Sequence, residues 1–247
     1  MLEPRPNVVV MIPTYNEAEN IGPLVREILA LPLKQEIAVL VVDDNSPDGT
    51  AATVDEISRQ DRRAHFRIRT EERGRGLAGI AGFKECLALG ADYIIEMDGD
   101  GSHQPRFIPS LIAAARRFDL VLGSRFVAGG RDADRPLARR FITFLVRQFI
   151  RRFFGLSVQD VSSGFRCFRR KVLEKIGLDG LISSGPSVVL EVLYKASRLG
   201  FSISEVPIVF IDRKKGRTKL TGRTLWKTLL MSVKIKRTHR HLGPEAG

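Results

Sequence analysis

At 247 residues the chain can bury one sizeable α/β core, a second full domain of ordinary size would be a squeeze, and one domain with a small C-terminal extension is expected. Its 40 Lys and Arg exceed its 28 Asp and Glu, giving a formal charge of +12 that favours an anionic partner such as phosphate, acidic lipid or nucleic acid. Cys86 and Cys167 match no metal-ligand spacing and are too few for a disulfide scaffold, so a reducing compartment is expected.

The opening Met1-Leu2-Glu3-Pro4-Arg5-Pro6 lacks the charged start and apolar run of a secretory signal, so no export is expected. Through the first half, short apolar runs predict strands over 8–12, 38–42, 66–69, 93–97 and 120–122, and amphipathic stretches predict helices near 17–30, 49–59, 77–89 and 105–118. This βαβα alternation predicts a largely parallel, doubly wound α/β sheet, in which ligands bind beyond the carboxyl ends of the strands. Polar clusters fall at such ends: Pro13-Thr14-Tyr15-Asn16-Glu17, Asp43-Asp44-Asn45-Ser46-Pro47-Asp48-Gly49-Thr50, and Asp98-Gly99-Asp100-Gly101-Ser102-His103. Beyond residue 125 come a Gly- and Arg-rich stretch at 128–135, a long basic helix and a short element at 165–168. A helix over 187–199, a strand over 203–210, a basic loop at 212–219 and a basic helical tail over 222–241 follow.

Asp98-x-Asp100 closes the apolar run Tyr93-Ile94-Ile95-Glu96-Met97, and two residues apart on extended chain the carboxylates face the same way. Hard carboxylate oxygens suit Mg²⁺ or Mn²⁺ bridging a substrate diphosphate. The bland alternative is a pair of solvated turn aspartates, which the neighbouring polar strand ends disfavour. Asp44 closes a second apolar strand, where a carboxylate can accept hydrogen bonds from a ribose or base edge, while Ser46 or Asp48 caps the next helix. Gly74-x-Gly76-x-x-Gly79 formally matches a dinucleotide fingerprint, but Thr70-Glu71-Glu72-Arg73 separates it from its strand and the first βα turn is elsewhere, so it reads as a glycine-rich helix entry. Arg125, Arg139, Arg140, Arg213 and Lys219 stand out from the general cationic surface as candidate phosphate ligands.

The segment 141–154 is interrupted by Arg147, Arg151 and Arg152, and it is shorter than the about 20 apolar residues of a spanning helix. Wound as a helix it shows Phe141, Ile142, Leu145, Val146, Phe149, Ile150, Phe153 and Phe154 on one broad arc. That pattern fits either a lipid-interface helix or a core helix with a solvated face. A second such segment, Leu225-Trp226 with Leu229, Leu230 and Val233, edged by Lys227, Lys234, Lys236 and Arg237, tips the reading toward peripheral attachment to an anionic membrane surface.

From about Val8 to Lys219 the chain resembles glycosyltransferase family 2, and within it the dolichol- or polyprenol-phosphate mannose synthases. The resemblance rests on Ile12-Pro13-Thr14-Tyr15-Asn16-Glu17, the Asp43-to-Thr50 cluster, Met97-Asp98-Gly99-Asp100, Gly123-Ser124-Arg125-Phe126, Ser163-Gly164-Phe165, and Glu205-Val206-Pro207 followed by Arg213-x-x-Gly216-x-Thr218-Lys219. It implies a GT-A fold, the Rossmann-like fold of nucleotide-diphospho-sugar transferases, over 1–219; the residues beyond, 220–247, read as a basic amphipathic C-terminal helix and tail. It further implies inverting transfer of mannose from GDP-mannose to a polyprenyl or dolichyl phosphate, with Mg²⁺ or Mn²⁺ as cofactor. The place implied is the cytoplasmic face of a membrane, with a possible separate membrane anchor subunit.

By motif position, the resemblance makes Pro13, Tyr15, Glu17, Val42 and Asp44 donor-nucleoside contacts and Asp98, Gly99 and Asp100 the metal and diphosphate site. Arg125, Arg213 and Lys219 become phosphate ligands, with Arg139 or Arg140 near the acceptor phosphate. Asp98, Asp100, Arg125 and Arg213 are the expected catalytic set. Gly99 and Gly101 stand where members usually carry Ala and Leu, which predicts a less constrained metal loop. Ser102 stands where some carry a Gln metal ligand. Hexosyl transfer from a UDP-sugar is the neighbouring alternative. Nucleic-acid binding is disfavoured because acids are interspersed with bases through the first half and no recognised module appears.

Overall fold

The computed structural model describes residues 7–70, 72–132, 137–211 and 222–243, the side chains of 137–141 and 222–228 excepted. Strands β1 (Val8–Thr14), β2 (Ile37–Asp43), β3 (Ala64–Ile68), β4 (Tyr93–Glu96) and β5 (Leu120–Ser124) alternate with helices α1 (Ala18–Leu29), α2 (Thr50–Gln60), α3 (Arg75–Ala88) and α4 (Ile108–Ala115). Then come β6 (Arg131–Asp132), α5 (Leu137–Phe154), β7 (Arg166–Arg169), α6 (Arg170–Ile176), α7 (Val188–Arg198), β8 (Ile203–Pro207), β9 (Val209–Phe210) and α8 (Gly222–His239).

Among the described residues the main sheet runs β3-β2-β1-β4-β7-β5-β8. Its strands are parallel except β7, which lies antiparallel between β4 and β5. Every residue of β1 and β2 is buried, as helices on both faces of a parallel sheet require. Alternate residues serve opposite layers. Val9, Met11, Leu40 and Val42 pack with Phe83 of α3 and Val192 and Leu193 of α7. Val10, Ile12, Val39 and Val41 pack with Ile21 and Val25 of α1, Val54 of α2 and Ile112 of α4. Cys86 and Cys167 are free, buried members of this core.

The expected α/β architecture is present, with element bounds shifted by a few residues. The expected helix at 105–118 is a 3₁₀ turn, Pro105–Phe107, leading into a shorter α4. The expected strand over 203–210 breaks after Pro207, and β9 leaves the main sheet to pair with β6. Proline has no N–H to continue a ladder. Helix α6 and strand β6 carry too few residues to stand out as periodic segments.

On the described part of α5, Phe154 is buried and Ile150 and Phe153 pack on the core, while Ile142, Phe144, Leu145 and Phe149 are each close to half exposed. Helix α8 buries Ile235, Ser232 and His239 against the body and exposes Leu230. His239 Nε2 lies 2.7 Å from Glu191 Oε1, and Glu191 also accepts the N–H groups of Ile182 and Ser183 at 2.8 and 2.9 Å. Among the described residues no helix is long and apolar enough to cross a membrane.

At the centre of the sheet Glu96 of β4 faces Arg166 of β7, both fully buried. Arg166 donates through Nε to Glu96 Oε2 at 3.0 Å and through a terminal nitrogen to the same oxygen, and reaches Val189 O of α7 at 2.8 Å. Removing one member of a buried pair strands the other charge. Arg166→Met is therefore expected to cost about 3–5 kcal/mol, measured by urea denaturation at neutral pH. A loss below about 1 kcal/mol would show that the pair does not hold the sheet.

Candidate donor and metal site

Tight polar corners follow β1, β2 and β4, and the first two interlock. Asn16 and Asn45 take left-handed conformations, φ 60° and 55°, which Asn tolerates better than most residues. The Asn16 N–H donates to Ser46 Oγ at 2.9 Å, the Glu17 N–H to Thr50 Oγ1 at 3.0 Å and the Ala18 N–H to Asp48 Oδ2 at 3.0 Å. Asp48 Oδ1 accepts from the Thr50 N–H at 3.0 Å, so one carboxylate serves the first residues of both α1 and α2. Neither expected cap holds the N-cap place of α2, which is Gly49; Asp48 accepts the Thr50 N–H from one residue before it, and Ser46 ties the β2 corner to the β1 corner.

Around these corners lies a cavity of about 180 Å³ lined by Pro13, Thr14, Tyr15, Glu17, Asp44, Arg75, Ala78, Asp98, Gly99 and Asp100. Expected donor contacts separated by more than 80 residues thus share one cavity. Val42 does not line it: its side chain is buried in β2 beneath Gly82. Asp44 is held on both oxygens, by Arg69 and by the Gly74 N–H at 2.8 Å. Tyr15 is capped by Arg73, which donates to its hydroxyl at 3.1 Å and lies 5.0 Å from its ring centroid.

The glycine run leading into α3 has a packing role that the dinucleotide pattern does not describe. A Cβ at Gly74 would lie 2.8 Å from Ser184 O, and one at Gly76 would lie 2.6 Å from backbone atoms of Ser184 and Gly185. The loop between α6 and α7 therefore presses on the entry to α3.

Asp98 and Asp100 stand just past β4. Arg75 donates to Asp98 Oδ1 through Nε at 3.1 Å and a terminal nitrogen at 2.5 Å. The Asp98 N–H donates to His103 Nδ1 at 3.0 Å, so the ring is neutral with its proton on Nε2. Burial pushes the His103 pKa down, outweighing the opposite pull of Asp98 and Asp100. Its ring stacks on Phe165 with centroids 5.1 Å apart. Asp100 Oδ1 accepts the Ser102 N–H at 3.0 Å.

The extra glycines do not loosen this loop in the way expected. A Cβ on Gly99 would sit 3.0 Å from Thr14 Cγ2, so the chain is clamped there, and Gly101 turns the loop at φ +75°. Among the described residues no group of three or more His, Cys, Asp or Glu forms a complete metal cage. The two carboxylates instead fit a cation such as Mg²⁺ or Mn²⁺ that completes its shell with water and substrate phosphate.

Arg125 forks onto the buried Asp160, with Nε and a terminal nitrogen each at 2.8 Å, and also reaches Ser162 Oγ at 2.9 Å. Burial opposes both charges, yet the pairing raises the Arg125 pKa and keeps Asp160 below the usual carboxylate range. Arg125 is thus a fixed wall of a second cavity of about 290 Å³, which reaches from Asp98 and His103 to Ile142, Val146 and Ile150 of α5. Arg139 and Arg140 fall within α5, but their side chains lie outside the described set, and Arg213 and Lys219 lie outside the described residues.

Sequence reasoning missed Arg75, Arg69 and Asp160 as parts of the site. A charge inside an apolar strand, Glu96, was the available signal for the first of these, because a buried carboxylate needs cationic partners. Gly76→Ala is expected to cost about 1–3 kcal/mol through backbone overlap, whereas Gly185→Ala, with nothing near its Cβ, should be close to neutral. Paired thermal melts of the two variants check this; equal stability would deny the close packing of the loop on α3.

The pattern of Glycosyl transferase family 2 matches residues 9–177. The chain is 42% identical over 217 residues to undecaprenyl-phosphate mannosyltransferase of Micrococcus luteus, covering 87% of this chain and 88% of that protein. It is 38% identical over 227 residues to polyprenol monophosphomannose synthase of Mycolicibacterium smegmatis, covering 91% and 84%. Its fold matches that of the mannosyltransferase PcManGT from Pyrobaculum calidifontis, solved with GDP-Man and Mn²⁺, with a TM-score of 0.63 at 20% identity over 95% of this chain and 65% of that one. With a GT-A-like fold and the family pattern across most of its length, the chain belongs to glycosyl transferase family 2.

Proposed function

We propose that this protein transfers mannose from GDP-mannose to a polyprenyl phosphate, with inversion at the anomeric carbon, while attached peripherally to a membrane. The observation that carries this reading is the 42% identity, over 87% of this chain and 88% of the relative, to an undecaprenyl-phosphate mannosyltransferase. The shared cavity of Pro13, Tyr15, Glu17, Asp44, Asp98, Gly99 and Asp100 supports it.

Pro13, Tyr15, Glu17 and Asp44 take the nucleoside, with Val42 beneath them in β2. Asp98 and Asp100 hold Mg²⁺ or Mn²⁺, with the Gly99 backbone beside the diphosphate. A divalent cation there supplies charge neutralisation for the leaving diphosphate. Arg213 and Lys219 add positive charge to the same group. Arg125, with Arg139 or Arg140, orients the acceptor phosphate for in-line attack. The acceptor's apolar chain suits the second cavity, whose α5 wall is Ile142, Val146 and Ile150. The exposed Phe144, Leu145 and Phe149 of α5 suit the lipid interface from which such an acceptor comes.

A phosphate monoester has a second pKa of about 6, so the nucleophile is a dianion at neutral pH and no general base is required. His103 is committed as acceptor of the Asp98 N–H and holds the metal loop instead. Below about pH 6 the phosphate gains a proton and its nucleophilicity falls.

The deciding experiment incubates the protein with a polyprenyl phosphate, Mn²⁺ and a panel of nucleotide sugars, and identifies the lipid product. Mannosyl lipid from GDP-mannose is expected; glucosyl lipid from UDP-glucose would overturn the donor, and no lipid product from any donor would overturn the reaction. Asp100→Ala should lower turnover by at least on the order of 10²-fold with an unchanged melting temperature, and retention of full activity would remove Asp100 from the site. In a pH–rate profile at saturating donor and metal, activity should fall below about pH 6 and stay level through neutral pH. The same shape is expected for His103→Gln; loss of an ionisation in that variant would make His103 a base.

A further inference from the structure

The guanidinium of Arg75 is the outermost member of a row of alternating charges, Arg166–Glu96–Arg75–Asp98. Its Nη1 lies 3.7 Å from Glu96 Oε1, and two of its other N–H groups converge on Asp98 Oδ1. Arg166 and Glu96 are sealed, but the Arg75 side chain keeps 28% of its surface and borders both the donor cavity and a neighbouring cavity of about 320 Å³ beside Pro186 and Ser187. The space is shaped around this pairing: a Cβ at Gly164 would lie 2.6 Å from Arg75 Nη2 and 3.5 Å from Asp98 Oδ2. Burial opposes the charge on Arg75, but Asp98 and Glu96 raise its pKa above the ordinary guanidinium value, so it stays cationic at any working pH.

A carboxylate assigned to a divalent cation is thus already neutralised by a side chain of the protein. We propose that Arg75 is a resident counter-cation of the metal site, which weakens metal binding to the free protein and makes the metal enter together with the donor diphosphate. The inference rests on the donor-site reading of Asp98 and Asp100. Without donor, a divalent ion must share Asp98 with a fixed positive charge and sit close to it. The diphosphate brings the negative charge that offsets both cations, so metal and nucleotide favour one another, each raising the other's affinity by the same factor. Arg75 acts here as a positioning residue through Asp98.

The test measures Mn²⁺ affinity by electron paramagnetic resonance or calorimetry, with and without GDP, in wild type, Arg75→Gln, Arg75→Lys and Gly164→Ala, each checked by thermal melt. Wild type should bind Mn²⁺ weakly alone and at least about tenfold more tightly with GDP. Arg75→Gln should bind Mn²⁺ alone at least about tenfold more tightly than wild type, a floor well below the Coulomb repulsion of a unit charge a few ångströms from a divalent ion at an effective dielectric of about 20. Its gain from GDP should shrink. Arg75→Lys keeps the charge and should keep most of the coupling. Gly164→Ala, which pushes the guanidinium off Asp98 without removing it, should shift the same way as Arg75→Gln and carries the test if that variant does not fold. Unchanged or weakened Mn²⁺ affinity in folded Arg75→Gln, or in Gly164→Ala where it stands in, overturns the role of Arg75 alone. Failure of wild type to bind Mn²⁺ even with GDP overturns the donor-site reading, and this role with it.

Discussion

A carboxylate buried at the middle of the sheet organises the rest of this molecule. Glu96 sits in β4 with no access to water, and an ionised group there is tolerable only with cationic partners close by. Arg166 supplies one from the antiparallel β7 and carries the link on to Val189 of α7. Arg75 supplies a second from the first turn of α3. The pairing thereby joins β4, β7, α3 and α7 immediately behind Asp98, which follows Glu96 by two residues. The requirement to satisfy Glu96 and the placement of the loop carrying Asp98 and Asp100 are one problem with one solution.

The same economy of charge runs through the remainder of the site. Asp44 is paired with Arg69, Asp98 with Arg75, and Asp160 with Arg125. In a chain with a formal charge of +12, Arg69, Arg75 and Arg125 around these cavities are therefore engaged and oriented by carboxylates of the protein itself. Charges held in this way are preorganised and cost little to reorient when a charged ligand arrives. The loop hydrogen bonds do similar work for the backbone: the corner after β1 donates to the corner after β2, and the corner after β4 is held through His103 and Asp100 of its own loop.

Around this charged centre the surface is apolar in one sector. Helix α5 buries Phe154 on the core and leaves Ile142, Phe144, Leu145 and Phe149 close to half exposed beside the second cavity. Helix α8 is tied into the body by Ile235 and by the buried contact of His239 with Glu191. Through Glu191 that contact reaches the N–H groups of the loop that presses on the glycine-rich entry to α3. The C-terminal helix and the loops of the site are thus parts of one packed unit.

The α/β architecture was legible because strands buried on both faces leave continuous apolar runs, and ligand-facing turns leave polar clusters at fixed places after them. Asp44, Asp98 and Asp100 stood out for that reason, and the cavity they share follows from parallel strands ending on one edge. The partners were not legible. Arg75 lies within a glycine run whose local pattern suggests a different ligand, and its role depends on a carboxylate 21 residues away meeting it across the sheet–helix interface. Asp160 lies 35 residues from Arg125 in an irregular segment with no periodicity to mark it. The break of β8 at Pro207 could be read as a proline, but the pairing of β9 with β6 required knowing which edges were left uncovered. Local periodicity and turn chemistry are written in neighbouring residues, so the sequence by itself determined the elements and the carboxylates at their ends. Charge pairing and backbone close approach join residues distant in the chain, so only the tertiary structure decided which cation neutralises which carboxylate.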